Sequence, residues 1–248
     1  MIEIRDLRKT LNENKVMDGV DLTISVGESL VIMGPSGTGK SVLLKHIVGL
    51  MDPDSGDVIV DGISVPNANR AQIAQVRNRI SYVFQNSALF DSVTVRGNIM
   101  LGLDDRTIHD ESVNVERLVR EATEHVNLED SVLDLLPAEL SGGMQRRVAI
   151  ARAIVGRQKY VLYDEPTTGL DPLNASVINR LIERVSQEIE GTSVIVTHDV
   201  ESAFYLADRI ILLSNGKVRA EGSPEDLKTT DDPAVRRFLN PMAETEVA

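Results

Sequence analysis

The sequence contains no cysteine, and its apolar runs are short. Without cysteine the chain can form neither a disulfide framework nor a thiolate metal site. The longest apolar stretch, from Val42 to Leu50, is interrupted by Lys45 and His46, and a transmembrane helix needs roughly 18 apolar residues. The first residues lack the basic start and apolar stretch of a secretory signal, so we expect a cytosolic protein.

Basic residues are also in the minority. The chain has 26 Lys and Arg against 38 Asp and Glu, which gives a formal net charge of −12. Nucleic-acid-binding proteins usually carry a basic face that neutralises phosphates, so this balance disfavours nucleic acid as a partner. It also argues against attachment to anionic lipid by charge alone. We therefore expect any membrane association to run through a protein partner.

What the sequence does contain is an alternation of short apolar strands and helices. Strand patterns occur before residue 85, among them residues 2–7, 20–24 and 29–33, and again between residues 160 and 221. Helical patterns dominate the segment between them, and two short helices are predicted around residues 224–228 and 233–239. Strands that alternate with helices favour a mainly parallel sheet covered on both faces. In such sheets ligands lie at the carboxyl ends of the strands, which is where the motifs described next are found.

A complete phosphate-binding motif stands between a predicted strand and a predicted helix. The pattern G-x-x-x-x-G-K-[ST] is matched by Gly34, Pro35, Ser36, Gly37, Thr38, Gly39, Lys40 and Ser41. Its glycines let backbone N–H groups point at phosphate oxygens, and the following helix adds the positive end of its dipole. Lys40 is expected to reach the β- and γ-phosphates of ATP, and the Ser41 hydroxyl to ligate Mg²⁺. A chance match has a probability of roughly 1% in a chain of this length.

Two adjacent carboxylates, Asp164 and Glu165, follow an apolar run over residues 160–163. Taken alone, such a pair at the end of a strand is usually just solvated surface. Together with a phosphate loop it gains a chemical role, because Mg-nucleotide chemistry needs an acidic metal partner. We expect Asp164 to hold the Mg²⁺ shell and Glu165 to polarise the attacking water.

A second glycine motif precedes a predicted helix over residues 145–155. It consists of Leu140, Ser141, Gly142, Gly143 and Met144. Ser141 is the expected N-cap, and the two glycines expose backbone N–H groups, which predicts a second anion site at a helix N-terminus. The alternative is a simple loop-to-helix cap. A single nucleotide, however, does not need two anion sites about a hundred residues apart.

These motifs, in this order and approximate spacing, resemble those of ABC transporter ATPases over nearly the whole chain. The resemblance implies two copies packed head to tail, with ATP between the phosphate loop of one and Ser141 to Met144 of the other. It also implies that Gln85 senses Mg²⁺ and water and contacts the membrane partner. By the same resemblance, residues 169–171 communicate across the dimer, and His198 is the switch histidine at the γ-phosphate. A lone histidine at the end of a strand is otherwise more often structural.

The resemblance leads to an α/β fold class. We predict a P-loop NTPase of the RecA-like type, with a mainly parallel sheet core, an N-terminal antiparallel β portion and an inserted helical subdomain. The ATP-binding core is expected to comprise residues 1–85 and 156–222, and the helical subdomain residues 86–155. A C-terminal helical extension and tail would occupy residues 223–248, frayed from Met242 onward.

Four stretches, 36–41, 84–90, 141–147 and 232–239, resemble the ATPases of Mla/Mce-type phospholipid transport systems most closely. That resemblance implies an integral-membrane permease as partner, with substrate-binding and small regulatory subunits as further candidates. It places the chain peripherally at the cytoplasmic face of the inner membrane. Ala88, Leu89 and Phe90 suit a groove for a permease helix and equally suit the core of the helical subdomain. The C-terminal stretch is either a contact with the second subunit or an ordinary terminal helix.

The sequence departs from the family pattern at three places. Met144 stands where the signature usually has Gln, and Val42 replaces a hydroxyl residue that often contacts the α-phosphate. Residues 9–14 include no aromatic ring to stack on adenine, which leaves base selectivity open.

Two other functions share these motifs. An ATPase of a polar-solute importer, such as one for amino acids, would carry every catalytic residue named above. A non-transport ABC ATPase is the other alternative, although the chain has neither a heptad arm nor a second cassette.

Overall fold

The computed structural model describes residues 1–189 and 191–240. The strands in these residues are β1 (Ile2–Leu11), β2 (Asn14–Ile24), β3 (Ser29–Met33), β4 (Ser55–Val60), β5 (Ile63–Ser64), β6 (Ile80–Val83), β7 (Tyr160–Asp164), β8 (Thr192–Thr197), β9 (Arg209–Ser214) and β10 (Lys217–Gly222). The helices are α1 (Lys40–Ile47), α2 (Arg70–Arg77), α3 (Val95–Met100), α4 (Asp105–His109), α5 (Val115–His125), α6 (Gly142–Ile154), α7 (Pro172–Ile189), α8 (Val200–Leu206), α9 (Pro224–Lys228) and α10 (Pro233–Leu239). The tail predicted to fray from Met242 lies outside the described residues.

The chain divides into two compact units. The first consists of Met1–Val76 and Val194–Ala248, and the second of Arg77–Ser193. The three-part organisation expected from the sequence stays a prediction. Among the described helices, none has the length and apolar character that crossing a bilayer requires.

The first unit contains an antiparallel sheet of four strands in the order β2-β1-β4-β5. Ile2 and Ile4 of β1 are buried while the residues between and after them are more exposed, which is typical of a sheet with one face on the core. The register of β1 shifts between Ile4 and Leu7, and Asp6 has a φ of 43°. This irregularity is a bulge that returns Leu7 to the buried face.

The other strands of the first unit lie in the order β10-β9-β3-β8. β3 runs parallel to β9, with Leu30 opposite Arg209 and Met33 opposite Leu212. Leu30 to Met33 are fully buried, as expected for a strand covered on both faces. β9 and β10 form a hairpin whose turn residues, Asn215 and Gly216, both have positive φ, which is the requirement of a two-residue type I′ turn.

The second unit is built around α6. The strands β6 and β7 pair in parallel, with Ile80 opposite Tyr160 and Val83 opposite Tyr163. Helix α6 packs against β6 and against α3, α5 and α7. Ala149, Ile150 and Ala151 of α6 are fully buried on successive positions, so this helix is apolar around much of its circumference, as a central helix must be.

The backbone of the β1 bulge leaves no room for a side chain at Gly56, which can be tested by substitution. Gly56 and Gly62 both have positive φ, but a Cβ at Gly56 would lie 2.3 Å from the backbone oxygen of Asp6, whereas no described atom lies within 4 Å of a Cβ at Gly62. Gly62→Ala should therefore cost about 1–2 kcal/mol of stability for the left-handed conformation alone. Gly56→Ala should cost about 1–3 kcal/mol more, because the backbone of the bulge has to shift.

Urea unfolding of the two variants beside the wild type measures this difference. Equal unfolding midpoints for Gly56→Ala and Gly62→Ala would show that the bulge does not press on Gly56.

Candidate active site

The phosphate loop of the first unit connects the buried strand β3 to helix α1. Gly34, Gly37 and Gly39 have φ values of 154°, 83° and 95°. A Cβ at Gly34 would lie 2.4 Å from the backbone oxygen of Leu213, and one at Gly39 would lie 2.7 Å from the backbone oxygen of Val16. The loop therefore requires glycine at two positions for lack of space as well as for its dihedral angles.

Lys40 curls back over this loop. Its side chain is 5% exposed, and its Nζ donates hydrogen bonds to the carbonyl oxygens of Gly34 at 2.8 Å and Pro35 at 3.1 Å. Pro35 also accepts a hydrogen bond from the Thr38 hydroxyl at 2.8 Å, which tightens the turn. The Lys40 ammonium thus lies buried inside the loop, where hydrogen bonds to phosphate oxygens would be stronger than those to neutral carbonyl groups.

Helix α1 adds to this positive character. Its N-cap, Gly39, makes no side-chain cap, and its first turn contains no acidic residue. The positive end of the helix dipole is consequently not offset by a capping side chain or a carboxylate of that turn. Ser41 and Val42, the first-turn residues expected to face phosphate and metal, are half-buried there.

His198 lies in the same unit, directly after β8, which neighbours β3 in the sheet. Its side chain is exposed. The following residue, Asp199, caps α8 by accepting hydrogen bonds from the backbone N–H groups of Glu201 and Ser202. Asp199 also donates its own N–H to the Thr197 hydroxyl at 3.0 Å. These hydrogen bonds fix the backbone on both sides of His198 at the end of its strand.

The two carboxylates of the second unit are both buried. Asp164 ends β7 and is 6% exposed, while Glu165 is 8% exposed. The Tyr82 hydroxyl donates to Asp164 Oδ2 at 2.8 Å, and the Thr168 hydroxyl donates to Glu165 Oε2 at 3.0 Å. Glu165 has a φ of 50°, a conformation that costs a side-chain-bearing residue about 1–3 kcal/mol and is found most often at functional sites.

Gln85 follows β6 with an exposed side chain, and its backbone is held from α6. Arg146 donates to the carbonyl oxygen of Phe84 at 3.1 Å and also to that of Gln85. The same guanidinium donates to the carbonyl oxygen of Thr168 at 3.3 Å. Burial lowers the pKa of Arg146, yet a guanidinium stays protonated in proteins. Arg146 therefore ties the Gln85 segment to the turn that holds Glu165.

A second arginine of α6 also binds backbone carbonyl groups of the segment after β6. Arg152 donates to the carbonyl oxygens of Ser87 at 2.8 Å and Ala88 at 2.7 Å. Ser87 and Ala88 have φ values of 60° and 45°, so the segment after Gln85 is a strained turn that α6 stabilises.

The glycine motif at the start of α6 faces outward. Ser141 caps the helix by accepting the Met144 N–H at 3.3 Å. Ser141 and Gly142 are exposed, while Gly143 and Met144 are half-buried. A Cβ at Gly142 would meet no described atom within 4 Å. This helix N-terminus is thus available for an anion presented by another molecule.

The 169–171 segment leads directly into α7. Asp171 accepts hydrogen bonds from the backbone N–H of Asn174 at 3.0 Å and from its side-chain amide at 2.6 Å. These hydrogen bonds lower the pKa of the exposed Asp171 carboxyl, so the acid is ionised at the start of the helix.

The structure thus gathers the predicted residues in two groups. The first unit brings together the phosphate loop and His198 at the ends of neighbouring strands. In the second unit, Arg146 and Thr168 link Gln85 to Glu165. Sequence reasoning missed Tyr82, Arg146, Arg152 and Thr168. The pair Arg146-Arg147 stood inside a noted stretch, but no local pattern indicated which carbonyl groups it binds.

The chain is similar to known proteins in both sequence and structure. Residues 17–168 match the model of the ABC transporter family. The chain is 36% identical over 247 residues to the intermembrane phospholipid transport system ATP-binding protein MlaF of Escherichia coli strain K12, covering 100% of this chain and 91% of MlaF. It is also 36% identical over 239 residues to the probable ribonucleotide transport ATP-binding protein mkl of Mycobacterium tuberculosis strain H37Rv, covering 96% of this chain and 66% of mkl.

A solved structure agrees with these relatives. It is a dimeric ATP-binding cassette in a post-hydrolysis state bound to ADP and Pi, with a TM-score of 0.79 and 31% identity. The match covers 90% of this chain and 99% of that chain. This neighbour confirms the predicted α/β fold class, with mostly parallel strands, a separate antiparallel sheet and helices.

The phosphate-loop geometry generates a prediction for Lys40. Lys40→Ala removes the buried ammonium, so affinity for ATP should fall at least about tenfold, or about 1.4 kcal/mol. Lys45→Ala, on the same helix but outside the loop, should retain wild-type affinity. Titration with a fluorescent ATP analogue measures both, and an unchanged dissociation constant for Lys40→Ala would remove this loop from nucleotide binding.

Proposed function

This chain belongs to the ABC transporter family, and from that premise we propose that it couples ATP hydrolysis to phospholipid transport between bacterial membranes. The observation that carries the proposal is the buried ammonium of Lys40 inside a glycine-lined loop at the end of a buried strand. The chain is an ATPase of this family, and the proposal assigns the roles of its residues and its cargo.

The phosphate loop binds the triphosphate. Lys40 exchanges the carbonyl groups of Gly34 and Pro35 for the β- and γ-phosphates, which are stronger acceptors for an ammonium. The backbone N–H groups of the remaining loop residues surround the phosphates. The motif residues around the phosphates are Gly34, Pro35, Ser36, Gly37, Thr38, Gly39, Ser41 and Val42, and all of them except Pro35 carry a backbone N–H.

The donor atoms in the chain fit a magnesium ion. Among the described residues, no group of three or more His, Asp or Glu side chains forms a protein cage for a metal. Mg²⁺ is typically held by one or two carboxylates together with substrate phosphates rather than by such a cage. The Ser41 hydroxyl, the Asp164 carboxylate and the Gln85 side chain are the oxygen donors that would hold it. When bound, the ion neutralises charge on the β- and γ-phosphate oxygens.

Glu165 acts as the base that accepts a proton from the attacking water. Its left-handed backbone and its hydrogen bond from Thr168 hold the carboxylate in one orientation. His198 contacts the γ-phosphate, and Gln85 orients the water. Val16, whose carbonyl group lies beside Gly39, is a half-buried aliphatic residue that can contact adenine in place of an aromatic ring.

The enzyme works as a homodimer with ATP at the interface. Support comes from the dimeric cassette bound to ADP and Pi and from the outward-facing helix N-terminus at Ser141. Residues Ser141, Gly142, Gly143 and Met144 of one copy cap the γ-phosphate that is held by the loop of the second copy. Residues 169–171 carry the state of one site to the other.

The exposed apolar residues around Gln85 bind a helix of an integral-membrane permease. Phe84 is 37% exposed, Phe90 58% and Leu101 55%, which does not suit the alternative that the 88–90 segment is core. Ala88 is exposed and Leu89 half-buried. Phe84 and Leu101 also line a cavity of about 310 Å³ in the second unit. Through this permease the chain lies at the cytoplasmic face of the inner membrane, where substrate-binding and small regulatory subunits can join it.

A second cargo class has support from one relative. The mkl protein is named for ribonucleotide transport and shows the same 36% identity as MlaF. All catalytic residues would serve either cargo, so only the bound permease and its ligand separate the two classes.

Phe90→Asp tests the permease contact. The charge should prevent the permease from co-purifying with the tagged chain from native membranes, while ATP binding persists. Val26→Asp, at another exposed apolar residue, should keep the permease. Mass spectrometry of the wild-type complex should identify phospholipid. Retention of the permease by Phe90→Asp would refute this contact, and a ribonucleotide ligand would refute the lipid cargo.

Glu165→Gln tests the base. The amide cannot accept the proton, so the rate of ATP hydrolysis should fall at least about 100-fold. ATP should still bind, and size-exclusion chromatography with Mg-ATP should show a trapped dimer. Glu124→Gln, on the exposed surface of α5, serves as the matched control. Turnover near the wild-type rate in Glu165→Gln would remove Glu165 from this role.

A further inference from the structure

A tyrosine on the strand beside β7 contacts the carboxylate of Asp164. We propose that Tyr82 is a positioning residue that orients the Asp164 carboxylate for the magnesium ion. This inference rests on the proposed function, because it takes Asp164 as a magnesium partner. Tyr82 belongs to none of the motifs described above, and its contact with Asp164 follows from the pairing of β6 with β7.

The pairing of β6 with β7 sets the contact. Tyr82 lies opposite Leu162 in the parallel register. Side chains alternate between the two faces of a strand, so Leu162 and Asp164 lie on the same face as Tyr82. Asp164 is therefore the diagonal neighbour of Tyr82, within reach of a long aromatic side chain. The phenol hydroxyl spans this diagonal and donates to Asp164 Oδ2 at 2.8 Å.

The ring of Tyr82 is itself fixed. It packs on the ring of Phe84, with centroids 4.3 Å apart and planes inclined by 34°. The carbonyl group of Phe84 accepts a hydrogen bond from Arg146 at 3.1 Å, so the backbone that carries this ring is also held. An aromatic pair of this geometry restricts the tyrosine χ angles. The hydroxyl thus has a defined position relative to Asp164.

The direction of this hydrogen bond is set by the two groups. A phenol hydroxyl carries a hydrogen to donate, whereas a carboxylate can only accept. The hydrogen bond therefore selects one oxygen of Asp164 and fixes the rotation of the carboxylate group.

This arrangement has a measurable consequence for metal binding. Hydrogen-bond partners of metal ligands orient those ligands, and their loss typically weakens metal affinity by roughly 10–100-fold. Without the Tyr82 hydroxyl, the Asp164 carboxylate loses the hydrogen bond that selects one of its oxygens. Affinity for the ion should fall, whereas affinity for metal-free nucleotide should not change.

The test compares two identical substitutions. Tyr82→Phe removes the hydroxyl and keeps the ring on Phe84. The control is Tyr163→Phe, on β7 one residue before Asp164, whose buried hydroxyl has no hydrogen-bond partner among the described residues. In full-length protein with AMP-PNP, Mn²⁺ titration followed by electron paramagnetic resonance reports metal affinity directly. Tyr82→Phe should weaken Mn²⁺ binding about tenfold, and Tyr163→Phe should match the wild type.

Steady-state kinetics give an independent reading. The Mg²⁺ concentration for half-maximal hydrolysis should rise about tenfold in Tyr82→Phe, while kcat at saturating Mg²⁺ falls much less. Tyr82→Met, which also removes the ring, should show a loss of Mn²⁺ affinity at least as large, and circular dichroism verifies that each variant is folded. Wild-type Mn²⁺ affinity in folded Tyr82→Phe would overturn the positioning role.

Asp164→Asn separates this inference from the function on which it rests. If Asp164→Asn loses Mn²⁺ and Tyr82→Phe does not, the positioning role of Tyr82 is wrong and the assignment of Asp164 stands. If Asp164→Asn binds Mn²⁺ like the wild type, Asp164 is not the metal partner, and both assignments are overturned.

Discussion

The phosphate loop is organised around the Lys40 ammonium, which donates hydrogen bonds to the carbonyl oxygens of Gly34 and Pro35. Burying an ammonium is costly unless hydrogen bonds or an opposite charge compensate it, and these carbonyl groups supply part of that compensation. Glycines set the shape of the loop, because a side chain at Gly34 or Gly39 would collide with neighbouring backbone. We propose that strand, loop and helix together provide a phosphate site.

In the second unit, the Arg146 guanidinium holds backbone segments in place, as the Lys40 ammonium does in the phosphate loop. Arg146 binds the carbonyl groups of Phe84, Gln85 and Thr168, which belong to two segments, the one that follows β6 and the turn after Glu165. Because Arg146 lies in the second turn of α6, a displacement of that helix would move the Gln85 segment and the turn after Glu165 together. This gives a physical route by which a contact at the outward-facing Ser141 can reach Glu165, the proposed base. Arg152 extends the same control to Ser87 and Ala88.

Local signals in the sequence were enough to predict several elements. The helices Pro224–Lys228 and Pro233–Leu239 were predicted with their observed bounds. Each has a capping side chain, Ser223 or Asp232, followed by proline at the first helical position. The strand Ser29–Met33 was equally clear, because all its residues after Ser29 are apolar and it ends at a glycine-rich turn. The phosphate loop could be located for the same reason.

Longer-range features could not be derived in this way. β1 and β2 extend to Leu11 and back to Asn14, well beyond the predicted strands, because pairing continues through polar residues and a bulge. The longest described helix, Pro172–Ile189, was not assigned from the sequence at all. The hydrogen bond from Tyr82 to Asp164 joins residues 82 positions apart, and no periodicity reveals such a contact. The positive φ of Glu165 is likewise indicated by no local residue pattern.

We propose that ATP binds to the 34–41 loop through Lys40 and that a second copy of the chain completes the ATP site. A crystal structure of the chain grown with Mg²⁺ and AMP-PNP tests this most directly. We expect a head-to-tail dimer in which the β- and γ-phosphates contact Lys40 of one copy and lie beside Ser141 of the other. Nucleotide bound elsewhere, with the Lys40 ammonium still held by Gly34 and Pro35, would contradict it.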